Sequence, residues 1–349
     1  MSYSALSIPP WNRKAVQIVE GLYEYLEDMT KDKILKHLAN KAAASIPIEQ
    51  LLEAYEIIKA RKTEDTPRSE ADIYFDEYKV LGKGDLQSED EYSAFTAEIP
   101  PGFERYFDKI TVVDKLTVVQ ALKGFTRLKP WNGNSSAVAP LSSTQKEWLP
   151  AVKLNGEGVF FKFNEEILLS WAERAGQRYE EMETALENSF YKDANPRFSP
   201  RYVLLHTFAH LLIRQLANEC GYSASSIREK IYSSFKGERN QMYGVLIYLA
   251  SSDADGSLGG LISIAEDPER LRGILENMLH KAQWCSADPL CITSKNQGFL
   301  SLNYAACHDC VLLPETSCES GNILLDRVSV VGTPDDLSAG LFGDYLSRE

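Results

Sequence analysis

Several features that would assign a function directly are missing from this 349-residue sequence. The pattern G-x4-G-K-[ST] does not occur, which excludes a P-loop ATPase, and LGKGD at Leu81–Asp85 has the wrong spacing and is predicted to be a turn. A G-x-S-x-G nucleophile elbow is also missing. The longest apolar run, Gly244–Ala250, is far shorter than the roughly 20 residues that a membrane span needs. We therefore expect neither a motor nor a membrane protein.

Basic charge is scarce as well, because 37 Lys and Arg residues face 50 Asp and Glu residues, for a net charge of −13. A protein that binds nucleic acid alone draws much of its affinity from Lys and Arg contacts with phosphate. No basic cluster with interleaved aromatic residues is present. We therefore expect any DNA contact to be made through a partner. The N-terminus MSYSALSIPPWNRK lacks the features of a secretory signal, which predicts a cytoplasmic protein with reduced thiols.

Cysteine, by contrast, is concentrated in one stretch, Trp284–Arg327. It holds Cys285, Cys291, Cys307, Cys310 and Cys318. A C-x5-C pair, a 15-residue spacer, a C-x2-C pair and one more cysteine after seven residues supply enough ligands for one tetrahedral zinc, with one thiol to spare. Four thiolates at about 2.3 Å exclude water from zinc, so such a site is structural. Cys307 and Cys310 are the most secure pair, and the spacing does not decide among the other three.

Other interpretations of the cysteines remain open. An iron-sulfur cluster uses the same ligand type, and the thiols could also hold no metal. A disulfide framework would need an oxidising compartment, and a thioredoxin-like pair would leave three neighbouring thiols unexplained. His308, inside the C-x2-C pair, is predicted to be a partly exposed turn residue and not a ligand.

His206 and His210 form a second pattern, because a spacing of four places both imidazoles on one helix face. Thr207 stands where a zincin would have its glutamate base, and a third ligand such as Glu219 or Asp253 would still be needed. We expect buried, hydrogen-bonded histidines, and a metal-dependent hydrolase that uses this pair is the alternative.

Hydrophobic periodicity predicts both helices and strands. One expected helix begins at Asn12, and another extends from a cap at Asn164 to about Phe190. Four more are expected over Lys31–Ala44, Ile48–Lys62, Tyr202–Glu219 and Pro268–Trp284. Gly244–Ala250 is predicted to be a central strand. Trp148–Lys153 and Gly158–Phe163 are predicted to form a hairpin that turns at Asn155 and Gly156. Ser226 and Glu229 form a capping-box pattern for a short helix to Ser233.

These elements predict an α+β protein with a helical N-terminal region, a mixed α/β core and a C-terminal structural zinc site. The expected division is a helical region over 1–68, a mixed α/β segment and linker over 69–143, and a zinc-binding domain over 144–349. The pair Asp253 and Asp255 begins no EF-hand, because Ile264 stands where the loop needs a glutamate.

The run NYAACHDCVLLPETSCESGNILLDR at Asn303–Arg327 resembles the signature of the MrfA-type zinc-binding (MZB) domain, which is found in superfamily-2 helicases and their partner proteins. More narrowly, the sequence resembles the DrmB family of DISARM anti-phage systems. Four further segments carry that resemblance: Ser4–Trp11, Pro100–Leu128, Leu204–Leu216 and Cys285–Cys291.

The resemblance implies a non-catalytic accessory subunit that binds zinc, partners a DrmA-like superfamily-2 helicase and assists its engagement with DNA. SALSIPPW, at Ser4–Trp11 here, usually lies well inside a DrmB chain. The resemblance therefore also implies a short relative or a truncated chain.

Overall fold

The computed structural model describes residues 2–42, 46–63, 69–88, 91–125, 138–144, 146, 148–192, 195–251 and 259–348. They form two compact units. One unit comprises Ser7–Asp76, and the other comprises Met1–Leu6 together with Glu77–Glu349. Asp253 and Asp255 lie outside the described residues.

Helices build the smaller unit: α1 (Arg13–Leu26), α2 (Lys31–Ala39), α3 (Ile48–Thr63) and the first half of α4 (Glu70–Lys83). The side chain of Asn12 caps α1 by accepting hydrogen bonds from the backbone N–H groups of Lys14 and Ala15. The predicted helix start at Asn12 is therefore confirmed. Tyr23 of α1 packs against Tyr55 of α3 with 6.0 Å between ring centroids.

Within the described parts of the larger unit, seven antiparallel strands form one sheet. They are β1 (Ser2–Leu6), β2 (Leu86–Ser88), β3 (Tyr92–Ala97), β4 (Phe107–Leu122), β5 (Ala151–Phe163), β6 (Ile227–Ser233) and β7 (Tyr243–Ser251). The order is β2-β3-β4-β5-β7-β6. β3 pairs with the N-terminal part of β4, and β1 pairs with the C-terminal part of β4. The predicted central strand is confirmed, because β7 lies between β5 and β6.

The predicted hairpin between Trp148 and Phe163 is wrong, because β5 runs through Asn155 and Gly156 without turning. These two residues pair with Thr117 and Leu116 of β4. The irregularity lies in β4, where the register shifts between Val113 and Leu116. An Asn-Gly pair therefore sits inside a strand here, opposite a bulge in the neighbouring strand.

Helices of the larger unit pack on the sheet and around the C-terminal segment. They are α5 (Glu165–Ala175), α6 (Glu180–Glu187), α7 (Pro200–Cys220), α8 (Gly260–Ala265), α9 (Pro268–Ala282), α10 (Leu290–Thr293), α11 (Val328–Val331) and α12 (Gly343–Leu346). Asn164 caps α5 as predicted, but a 3-10 turn that begins at Gly176 separates α5 from α6. The predicted single helix to Phe190 is therefore interrupted.

Helix α7 is the buried centre of this unit. The Ser199 side chain accepts a hydrogen bond from the Tyr202 N–H, Pro200 occupies the first turn, and Gly221 ends the helix with φ 71°. Nearly every side chain from Tyr202 to Leu216 is buried. Within the described ranges, neither α7 nor another helix is long and apolar enough to cross a membrane.

The predicted capping-box helix after Ser226 is wrong, because Ile227–Ser233 is strand β6, paired with β7. Ile227 and Ile231 pack in the same hydrophobic cluster as α7. Tertiary burial of this face outweighs a local helix-start pattern. Glu229 lies between the two isoleucines and is also buried.

A buried ion pair between Glu77 and Lys230 holds β1 in place. It lies on the face of β6 opposite to Glu229. The Glu77 carboxylate lies 2.6 Å from Lys230 Nζ, and it accepts hydrogen bonds from Tyr232 OH at 2.9 Å and from the Leu6 N–H at 2.8 Å. Lys230 also donates to the carbonyl of Ser4. The pair therefore ties β1, α4 and β6 together.

Glu77→Gln is expected to lower the free energy of unfolding by about 1.5–3 kcal/mol, because it leaves Lys230 buried without its counter-charge. Urea denaturation measures this change, and hydrogen exchange at the Leu6 amide shows whether β1 is released. Glu77→Gln with Lys230→Met should recover part of the loss, since no unpaired buried charge remains. A change below about 0.5 kcal/mol would contradict the proposed anchor.

Candidate metal centre

Four of the five clustered cysteines meet at one point. Sγ distances are 3.5 Å between Cys285 and Cys307, 3.6 Å between Cys307 and Cys310, and 3.7 Å between Cys291 and Cys310. Four thiolates at about 2.3 Å from a tetrahedral zinc lie about 3.8 Å apart, so the donor set fits zinc closely. Cys285 and Cys291 are buried, and Cys307 and Cys310 are half-buried. The cluster can therefore hold one closed, all-sulfur zinc ion.

Backbone N–H groups of the C-x2-C turn point at the sulfurs. The N–H of Cys307 donates to Cys310 Sγ at 3.3 Å. Burial opposes ionisation of Cys307, yet N–H groups of Cys310 and Asp309 stabilise its thiolate and lower its pKa. Burial raises the pKa of Cys285 to about 11. Cys307 is thus more readily ionised than Cys285, whose proton a bound ion would displace.

Side chains outside the cluster hold its two loops in place. The Asp288 carboxylate accepts from the backbone N–H groups of Cys285 at 2.7 Å and Ile292 at 2.9 Å, and the fully buried Arg327 donates to the same carboxylate. Arg327 also donates to the carbonyl of Ala282 at the end of α9. The first cysteine pair is therefore positioned by a charge pair between the buried Arg327 and the half-buried Asp288.

Arg214 of α7 braces the other pair. Its guanidinium donates to three backbone carbonyls of the C-x2-C turn, at 3.3 Å to His308, 2.5 Å to Asp309 and 3.1 Å to Leu312. The side chain of His308 is exposed, as the sequence indicates for a turn residue. Helix α7 thus orients the turn without supplying a ligand to it.

Cys318 lies apart from the other four cysteines. Its Sγ is 3.1 Å from Nε2 of His206, in a second cluster that also contains His210 and Glu229. All four residues of this second cluster are buried. The histidine pair and the fifth cysteine, which the sequence presents as separate patterns, therefore belong together in space.

Of the third ligands considered for the histidine pair, Glu219 is exposed at the end of α7 and accepts from Gln215 at 2.7 Å. Glu229 is the carboxylate that lies beside the two histidines, and the sequence pattern did not identify it. The usable signal was a carboxylate between Ile227 and Ile231 on the apolar face of a strand, because buried carboxylates need a cation or hydrogen-bond donors. The capping-box pattern of Ser226 and Glu229 predicted a helix here, so Glu229 was not recognised as a buried strand residue.

The sequence is similar to a zinc-binding domain family and to a DISARM protein. The model of the MrfA Zn-binding domain matches residues 208–311. The DISARM protein DrmB of Bacillus paralicheniformis is 34% identical over 283 residues, which cover 74% of this chain and 49% of that protein. The chain therefore spans about half the length of this curated relative. A crystal structure of the DUF1998 helicase MrfA bound to DNA covers 64% of this chain and 24% of that chain, with 10% identity and a TM-score of 0.29, which is too weak to compare folds.

Proposed function

We propose that this chain, a DrmB-like protein with an MrfA Zn-binding domain, is a non-catalytic, zinc-binding accessory subunit of a superfamily-2 helicase in anti-phage defence. The observation that carries the proposal is the site of Cys285, Cys291, Cys307 and Cys310 in a DrmB-like chain. All four positions around an ion are sulfur, which leaves no open position for a substrate or water. Zinc bound there would cross-link two loops. The zinc-binding domain is proposed to extend over 144–349.

The helicase partner is proposed to be DrmA-like, and DNA to be engaged through the complex. Two observations support this assignment: the relative is named as a DISARM protein, and the net charge of −13 disfavours independent binding to phosphate. The helicase would supply the ATPase chemistry, for which this sequence has no P-loop. Such a complex would act in the cytoplasm.

A metal-dependent hydrolase centred on His206 and His210 would need an open coordination position reached by water. Both imidazoles are fully buried, and Glu229 and Cys318 stand at the remaining positions. The geometry therefore favours the accessory role over the hydrolase.

Affinity capture with a co-expressed DrmA-like helicase tests the proposal. The wild-type chain is expected to form a stable complex that binds duplex DNA at least about ten-fold more tightly than this chain alone, with a salt dependence set by the helicase. Cys310→Ser should lose the complex, because the zinc-organised loops are no longer held. Cys220→Ser, a half-buried free cysteine outside both clusters, is the matched control and should retain it.

Failure of the folded wild-type chain to bind the helicase would contradict the partnership. Phosphodiesterase or peptidase activity of the isolated chain, lost in His210→Asn, would contradict the non-catalytic assignment and support the hydrolase.

A further inference from the structure

The second cluster brings four potential ligands from three parts of the chain to one buried point. His206 Nε2 lies 3.1 Å from Cys318 Sγ and 3.1 Å from Glu229 Oε1, and His210 Nε2 lies 3.4 Å from the same oxygen. All four donor atoms are within 4.8 Å of one another. Ligands of a tetrahedral zinc are about 3.2–3.8 Å apart for bonds of 2.0–2.3 Å. Little movement would be needed to enclose an ion.

Groups around the cluster orient the donors as the surroundings of a metal site do. Nδ1 of His210 lies 3.1 Å from the carbonyl oxygen of Val311, a contact that fixes the proton on Nδ1 and leaves the Nε2 lone pair facing Glu229. Cys318 Sγ accepts hydrogen bonds from the backbone N–H groups of Ser320 at 3.4 Å and Asn322 at 3.3 Å. Such N–H groups stabilise a thiolate.

The buried cluster contains polar atoms that a bound ion would satisfy. His206 Nδ1, His210 Nε2 and Glu229 Oε2 are buried and have no hydrogen-bond partner among the described residues. Nε2 of His210 is near Glu229 Oε1, but not in hydrogen-bond geometry. Buried polar atoms without a partner are rare and costly. An ion between the side chains would satisfy His210 and Glu229 at once.

Charge supports the same conclusion. A divalent cation bound there would neutralise the Glu229 carboxylate and the thiolate that Cys318 forms when the ion displaces its proton. Two imidazoles, one thiolate and one carboxylate form a donor set of intermediate softness that suits zinc and is unsuited to calcium or magnesium.

We propose that His206, His210, Glu229 and Cys318 form a second, closed metal site that holds zinc. It would join α7 to β6 and to the C-terminal loop that carries Cys318. Val311 links it to the all-cysteine site, because this residue follows Cys310 directly and its carbonyl contacts His210. The inference does not depend on the proposed helicase partnership, since it rests only on the geometry within this chain.

X-ray absorption at the zinc edge tests the site in the intact wild-type chain. The protein is loaded with zinc sulfate, and weakly bound ion is removed by desalting. One site with four sulfurs and one with a single sulfur are expected to give an average of about 2.5 sulfur ligands per zinc, with imidazole scattering and two zinc ions per chain. An average of about four sulfurs, one zinc per chain and no imidazole signal would overturn the proposal.

Variants assign the ions to their sites. Cys318→Ala and Cys310→Ser are each expected to lose one zinc, with the average rising to about four sulfurs per zinc in the first and falling to about one in the second. Cys220→Ser should keep both ions. If Cys318→Ala keeps two zinc ions and the wild-type spectrum, the assignment fails. The wild-type spectrum remains decisive if either variant does not fold.

Discussion

Cys310→Ser is expected to remove zinc from the all-cysteine site and to unfold the loops that carry Cys285 to Cys310. Structural zinc binds zinc-finger peptides with about 10–16 kcal/mol of apparent free energy, and this binding energy contributes to folding. Loss of about 5 kcal/mol would lower the Tm of a domain of this size by about 10–20 °C. Calorimetry together with zinc analysis measures both effects.

The loss of structure in Cys310→Ser is expected to be uneven along the C-terminal segment. Leu302, Tyr304 and Ile323 are buried in the main hydrophobic cluster, so apolar packing still holds these residues when zinc is absent. Hydrogen exchange should therefore rise most at residues 285–291 and 307–310, and less at these three core residues. Cys220→Ser is the control and should leave Tm and exchange unchanged. A Cys310→Ser protein that keeps both its fold and its full metal content contradicts the structural role of the site.

Asp326→Asn is expected to lower the free energy of unfolding by about 3–5 kcal/mol, because it breaks a buried ion pair. The fully buried carboxylate accepts from Arg178 Nε at 2.7 Å and from Tyr179 OH at 2.9 Å. It also accepts from the backbone N–H groups of Ala305 at 3.3 Å and Val328 at 3.1 Å. An asparagine removes the charge and presents an N–H group to at least one of these donors.

The effect of Asp326→Asn should extend to the second cluster. The backbone N–H of Asp326 donates to Thr207 Oγ1, and Thr207 follows His206 directly in α7. Urea denaturation and zinc content together measure both consequences. Asp336→Asn is the matched control, because Asp336 is exposed and its side chain caps a short turn that asparagine can also cap. A loss no larger for Asp326→Asn than for Asp336→Asn would contradict the account.

Local signals were sufficient to predict the main helices. Helix α7 has Ser199, Pro200 and Gly221 at its ends and apolar residues between them, so its cap, start and stop are all encoded nearby. The strand at Gly244–Ala250 is also evident from its unbroken apolar run. Segments that satisfy a local rule but pair with other strands were mispredicted, as Ile227–Ser233 after Ser226 and the Asn155–Gly156 pair show.

Sequence spacing presents five cysteines as candidates for four positions, and it does not separate Cys318 from the others. That separation arises because the chain after Cys310 runs along α7, from Arg214 past His210, and places Cys318 beside His206. Contact between a cysteine and a histidine 112 residues earlier is a long-range property of the fold. Glu229 was missed for the same reason, since its partners lie on another element.

Native mass spectrometry of the freshly purified wild-type chain, combined with elemental analysis, counts the metal ions that each chain holds. The two clusters lie on either side of Val311, and each is proposed to hold one ion. Two zinc ions per folded chain are predicted. One ion would contradict the second site, and a folded chain with no bound metal would contradict both.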